Sequence, residues 1–363
     1  MPIRQRFDRL LLGATILLTA IGLAMLASSS WLIATERYGR PGSYFLTWQA
    51  ATAMIGLFLL VVCMHLKTAL FGDRRLVVGG LTMSWLLLLA AFAQAPVAAT
   101  HRWVTVGGIS VQPSVLVRFA LILVVAVLLD EARRDGWPAK RLAVVGGISF
   151  ATTAVIVAEP DLGTAALLVV VLGAMAFVSG MPFRLLVAPA AGAAIALLVA
   201  ILASPYRLAR VKAFFDSDAG IAASWQSYQS LVAIGSGGVF GRGYGSGLQK
   251  LFFLPEPHTD FIFSITGEEL GLVGLLTLLG LAGVIAWRGL VIAARLEDPQ
   301  RALLAFGITV AFAAQTLVHM VVCLDLLPPK GIPLPLVSYG KTELLVTLVS
   351  IGVLLNLSRE VKA

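Results

Sequence analysis

The chain is poor in charge. Asp, Glu, Lys and Arg make up only 13% of its 363 residues, about half the share in an ordinary water-soluble domain. Too little polar surface remains for a soluble globule or a charged, disordered chain. Cysteine is nearly absent, and Cys63 and Cys323 both lie in apolar runs, so neither a disulfide framework nor a zinc site is indicated. Asp, Glu and the four histidines are nowhere spaced as a ligand set. No resident metal is assigned, and a divalent cation such as Mg or Mn is left open as a helper. A phosphate loop ending in Gly-Lys-Ser/Thr is also missing.

What the chain has instead is apolar length: 59% of it is hydrophobic and its mean hydropathy is +0.93. Such a chain takes a bilayer as its solvent, and each crossing needs about 20 residues. Ten runs qualify, roughly 8–29, 45–64, 76–98, 113–129, 139–158, 162–180, 184–203, 263–287, 302–324 and 335–357. They are continuous rather than alternating, which favours helices over a barrel. The expected fold is therefore an all-α integral membrane bundle, one polytopic domain over residues 1–363. The first run follows Arg4, Arg6 and Arg9 as a signal peptide would, but it lacks a small-x-small cleavage site and reads as a retained anchor.

Basic residues set the orientation, because cytoplasmic loops carry their excess. Lys67, Arg74, Arg75, Arg133, Arg134, Lys140, Arg141, Arg184, Arg295, Arg301 and Arg359 share one side with the termini, against Arg37, Arg40, Arg102, Lys330 and Lys341 opposite. Both termini are thus expected in the cytoplasm. The net charge of +8 is this topological bias, so membrane lipids and not nucleic acid are the expected surroundings.

One long connection stands out, residues 204–261 between the seventh and eighth runs. It is too rich in apolar and aromatic residues for a disordered linker, and it is expected to be partly helical, extracytoplasmic and the seat of the active site. Its start sets Arg207, Arg210 and Lys212 among apolar residues, which fits either interfacial anchoring or a phosphorylated lipid head. Seven glycines then fall between Gly235 and Gly247, with Arg242 among them. That run reads as a flexible hinge or as a phosphate cradle. The connection closes on Leu254-Pro-Glu256-Pro-His258-Thr259-Asp260, followed by Gly267-Glu268-Glu269. Carboxylates at a membrane boundary are costly unless paired, solvated or used, so Asp260, Glu268 and Glu269 are functional candidates. Asp260 could equally cap the following helix.

At these residues the chain resembles the SEDS family of bacterial cell-wall proteins, whose members include FtsW, RodA and SpoVE. Ile234 to Gly243, Leu254 to Phe263 and Gly267 to Gly271 carry the resemblance most specifically. Arg102-Trp103, Gln112-Pro-Ser114, Pro160-Asp161-Leu-Gly-Thr164, Lys330-Gly-Ile-Pro-Leu-Pro335 and Val337-Ser-Tyr-Gly340 support it. The early Ser28-Ser-Ser30 stretch, Gln249-Lys250 and Lys330-Gly331 lean toward the FtsW/SpoVE branch. The resemblance implies a glycosyltransferase of the bacterial cytoplasmic membrane that polymerises lipid II into a nascent glycan strand at the outer face, beside a class B penicillin-binding protein. It implies Asp260 as general base and undecaprenyl pyrophosphate as leaving group. Arg102, Arg207, Arg210, Lys212, Arg242 and Lys330 would meet the pyrophosphate, and His258, Thr259, Glu268, Ser338 and Tyr339 would line the substrate, with Asp161 and Glu256 in support. A lipid-II transporter, suggested by the intramembrane Arg118, and a non-catalytic scaffold for the penicillin-binding protein are the competing readings.

The chain also departs from the family pattern. Val115 stands where the family usually has Glu, and Arg118 where it has Lys. Glu159 replaces a Gln, His319 an Asn and Pro329 more often a Thr, while Lys341 and Glu343 replace small residues. Glu159 and His319 read as compensating one another, while Lys341 and Glu343 read as lineage drift, as a local pair with each other, or as a mark of changed or weakened catalysis.

Overall fold

The computed structural model describes residues 7–94, 102–107, 109–205, 208–209, 214 and 221–361. Arg207, Arg210 and Lys212 lie outside the described residues.

Each expected crossing coincides with one helix: α1 (Arg9–Leu32), α2 (Tyr44–His65), α3 (Arg74–Phe92), α4 (Pro113–Arg134), α5 (Ala139–Ala158), α6 (Leu162–Val178) and α7 (Phe183–Leu202), then α9 (Ile262–Arg295), α10 (Pro299–Cys323) and α11 (Lys341–Ser358). α8 (Ile221–Gly237) lies within the long connection. Eight of these helices are long and apolar enough to cross a membrane. α6, at 17 residues, is apolar but shorter. α4 carries buried Arg118 and Asp130 within the bundle. The starts are written locally: Asp8, Asp73, Asp161 and Asp298 each accept a backbone N–H of the first turn, and Pro113 and Pro299 occupy first-turn positions that need no donor.

Two expected helix ends need correction. The last crossing begins at Lys341 rather than 335, because Pro333 and Pro335 break the helical ladder and Leu336 sits at φ 66°. The third ends at Phe92 rather than 98. The expected all-α membrane fold stands, with one addition: β1 (Val104–Val106) and β2 (Ile109–Val111) form a short antiparallel hairpin pairing Val104 with Val111.

Both termini lie on one face. The Asp8 amide donates to Ser358 Oγ at 3.1 Å, Arg288 meets the Asp8 carboxylate at 2.7 Å and Arg301 meets Glu360 at 2.6 Å. α4 runs through the centre, with apolar positions from Val115 to Ala132 buried against its neighbours. α7 stands at the rim with no buried residue, and its apolar surface is left to lipid.

Candidate active site

The face opposite the termini gathers most of the described candidates around two segments, 254–260 before α9 and 330–340 before α11. Tyr339 N–H donates to the His258 carbonyl at 2.9 Å, and Ser338 Oγ donates to the Thr259 carbonyl at 2.6 Å. Ser338 Oγ also accepts from Leu334 N–H at 2.9 Å, so one hydroxyl ties both segments. From α2, Gln49 Nε2 donates to the Ser338 carbonyl at 3.0 Å.

Asp260 sits half-buried on this platform. Its turn is closed by its own N–H to the Glu256 carbonyl at 3.1 Å. Gly331 passes beneath the carboxylate so closely that a Cβ there would lie 3.3 Å from Oδ2. α9 is capped by Phe261 without a side-chain bond, so Asp260 is not the helix cap. Glu256 at φ 49° and Leu336 at φ 66° are held in the left-handed region on either side of the site, a strain that persists only where surroundings over-determine it.

Aromatic rings form one flank. The buried His258 ring lies 4.8 Å from Phe45 and 5.9 Å from Tyr339, and Phe45 meets Tyr339 edge-on at 4.9 Å. Burial pushes the His258 imidazole down to about 4, with Glu256 opposing and Arg37 adding to that shift. It is therefore neutral near pH 7. Glu256 itself reaches outward to Arg37 at 2.8 Å.

The opposite flank is the turn between α5 and α6. Asp161 caps α6, accepting Thr164 N–H at 3.2 Å. Arg102 lies 4.0 Å from the Asp161 carboxylate and donates to the carbonyls of Glu159 and Pro160. A Cβ at Gly163 would fall 2.9 Å from Ile332 and 3.6 Å from the Lys330 side chain, which sets this flank against the 330–340 segment.

Arg242, Glu268 and Glu269 lie elsewhere. The glycine run packs beside the break in α9, where Gly271 takes φ 65° and ψ −163°. That break is nine residues into the helix, about 13 Å along its axis at 1.5 Å per residue. Tyr244 Oη reaches the Ala24 carbonyl of α1 at 2.7 Å. In this arrangement Gly245 of the run, and Leu248 and Gln249 just after it, turn their amides to carboxylates of α9 rather than to an open cradle. Gly245 N–H donates to Glu269 at 3.0 Å, while Leu248 and Gln249 N–H donate to Glu268 at 2.7 and 3.1 Å. Non-helical backbone at this depth survives only when its polar groups are satisfied internally, and these glutamates satisfy them. Arg242 leans on Glu268 at 3.7 Å.

The departures resolve differently from expectation. Glu343 pairs with Arg118 at 2.6 Å, not with Lys341, whose ammonium lies 5.1 Å from the centre of the Trp48 ring. Glu159 and His319 do not hydrogen-bond to one another: both Glu159 oxygens and His319 Nε2 are buried without a partner among the described residues.

Residues 8–363 match the model of the FtsW/RodA/SpoVE family, described as cell cycle protein. This chain belongs to that family. Among curated relatives, the probable peptidoglycan glycosyltransferase FtsW of Trichlorobacter lovleyi is 35% identical, covering 98% of this chain and 94% of its own length. That of Coxiella burnetii is 35% identical, over 98% and 96%. Among solved structures, a chain of a peptidoglycan synthase complex that coordinates polymerization and crosslinking superposes with TM-score 0.77 at 25% identity, over 97% and 98% of the two chains. The rod shape determining protein RodA of Thermus thermophilus gives 0.70 at 25%, over 98% of each. Like these FtsW/RodA/SpoVE relatives, the chain is a multi-pass membrane protein.

Gln49, Gln315, Gly331 and Lys250 were not among the residues singled out by sequence for direct roles. The two glutamines carried a signal, since uncharged polar residues inside apolar runs need partners there.

Proposed function

We propose that this chain is a peptidoglycan glycosyltransferase that extends glycan strands from lipid II on the outer face of the cytoplasmic membrane, with both termini inside. The observation that carries the reading is Asp260: a half-buried carboxylate on the face opposite the termini, seated over Gly331 and not consumed by helix capping. The relatives named peptidoglycan glycosyltransferase supply the reaction class.

In this reading the 4-hydroxyl of the incoming N-acetylglucosamine attacks the donor anomeric carbon. Asp260 accepts the hydroxyl proton as general base. A new C–O bond forms as the bond to pyrophosphate breaks, and undecaprenyl pyrophosphate leaves with the electron pair, inverting the anomeric centre. Developing negative charge calls for cations. Arg102 and Lys330 flank the platform, whereas Arg242 serves the glycine turn. Thr259, Ser338, Tyr339 and His258 build the platform and its sugar-facing flank, Glu268 holds the turn, and Asp161 and Glu256 brace the edges. The neighbour in a complex of polymerization and crosslinking supports a penicillin-binding protein as partner.

The transporter reading leaned on Arg118, which is spent in a buried ion pair with Glu343. The scaffold reading leaned on the departures at Val115 and Lys341; against it, Glu343 supplies Arg118 with the carboxylate that position 115 lacks, and Lys341 rests over the Trp48 ring. The deciding experiment is polymerisation of purified lipid II by the wild type and by Asp260→Asn, each with and without a class B penicillin-binding protein. Polymer from the wild type that disappears in the folded variant is expected. Equal polymer from both would remove Asp260 from catalysis, and none from either would remove the enzyme reading.

A further inference from the structure

The carboxylate paired with Arg118 is not on its own helix. Position 115, one turn earlier on α4, is Val115, 3% exposed. The partner is Glu343 of α11: Nη2 lies 2.6 Å from Oε1, with both side chains buried. A buried guanidinium needs a paired charge and a further hydrogen bond to hold it. Arg118 meets that demand with a second bond, Nη1 to Gln315 Oε1 at 2.6 Å.

That bond fixes the direction of an amide. A guanidinium only donates, so the Gln315 oxygen must face it, and the NH2 group must face away. It points to the Pro333 carbonyl at 2.9 Å. Pro333 opens the turn that binds Ser338 Oγ through Leu334 N–H. Through Ser338 and Tyr339 that turn holds the carbonyls of Thr259 and His258. Two residues before Pro333, Gly331 lies under the Asp260 carboxylate. Hydrogen bonds joined by short stretches of backbone therefore connect a buried ion pair among α4, α10 and α11 to the seat of Asp260.

We infer that Arg118, Glu343 and Gln315 are positioning residues for Asp260: the ion pair fixes the guanidinium, the guanidinium orients the Gln315 amide, and the amide anchors the 330–340 segment. Only the activity part of this inference rests on the glycosyltransferase reading. The coupling to the segment is physical and can be measured without substrate.

The test uses the full-length protein in detergent micelles with three variants, Glu343→Ser, Val115→Glu/Glu343→Ser and Gln315→Leu. Hydrogen exchange at the Leu334 and Tyr339 amides is followed beside kcat and KM for polymerisation. Glu343→Ser is expected to speed exchange at both amides and to lower kcat about ten- to a hundredfold, the scale of loss from a slightly misplaced reacting group, with KM nearly unchanged. Adding Val115→Glu restores both readouts, because residues three apart on a helix are neighbours and the carboxylate returns to Arg118. Gln315→Leu keeps the ion pair yet loosens the same amides. Unchanged exchange in Glu343→Ser and Gln315→Leu would overturn the inference, as would failure of the double variant to recover. If the wild type makes no polymer, the enzyme reading fails and the exchange data still decide the coupling.

Discussion

Beneath the glycine turn the Lys250 ammonium sits 2.6 Å from Glu269 Oε1, with the two side chains 8% and 0% exposed. The same ammonium donates to Ser28 Oγ of α1 at 2.7 Å and to the Gly245 carbonyl at 2.8 Å. All three donors of the ammonium are used, and the pair bolts the turn to α1 and to the break in α9. Removing one partner of a buried pair costs roughly 3–5 kcal/mol, because the other charge is left uncompensated. Lys250→Met is expected to destabilise the protein on that scale, and Lys250→Met/Glu269→Gln to cost less than the single change. Thermal unfolding in micelles measures both; a double variant worse than the single would mean the pair is not the origin of the loss.

A second expectation concerns the turn itself. Gly241 has φ 79°, and a Cβ there would lie 2.1 Å from the Glu269 carbonyl oxygen, a backbone atom that cannot step aside. Gly241→Ala should therefore cost well over the roughly 1 kcal/mol that an alanine pays for left-handed backbone alone. Gly235, inside α8, has nothing within 4 Å of an added Cβ, and Gly235→Ala should leave stability unchanged or raise it by about 0.5–1 kcal/mol. Similar melting curves for the two variants would show that the turn is not packed against α9 as described.

These residues also mark where sequence reading reached its limit. The ten crossings were legible because apolar length is a property of each segment alone. Asp260 was legible because a carboxylate at a membrane boundary stands out against its neighbours. The glycine run was visible as a run, but its partners, Glu268 and Glu269, come some twenty residues later, and no local pattern says which anion the amides hold. Glu343 was read beside Lys341, its neighbour in sequence, whereas it pairs across more than two hundred residues with Arg118. Interhelical partners depend on rotation and register, which hydropathy does not encode. The β1–β2 hairpin was missed because two three-residue strands leave too short an alternation to register.

The last prediction concerns Glu159, in the turn between α5 and α6. It is 0% exposed, and both its carboxylate oxygens lack a hydrogen-bond partner among the described residues. Burial, and secondarily the negative charge of Asp161, push its carboxyl up from the ordinary 4.5 to about 8, against the opposing pull of Arg102. The folded state therefore holds a proton that the unfolded chain releases. Glu159 contributes most below the unfolded value, and that contribution is lost as pH rises from about 4.5 through about 8. Glu159→Gln keeps the neutral shape and cannot ionise. Its melting temperature should match the wild type below about pH 4.5, exceed it increasingly from there to about pH 8, and keep a constant margin above that. Parallel melting profiles across that range would show that Glu159 is ionised in the folded protein and that a partner for it forms there.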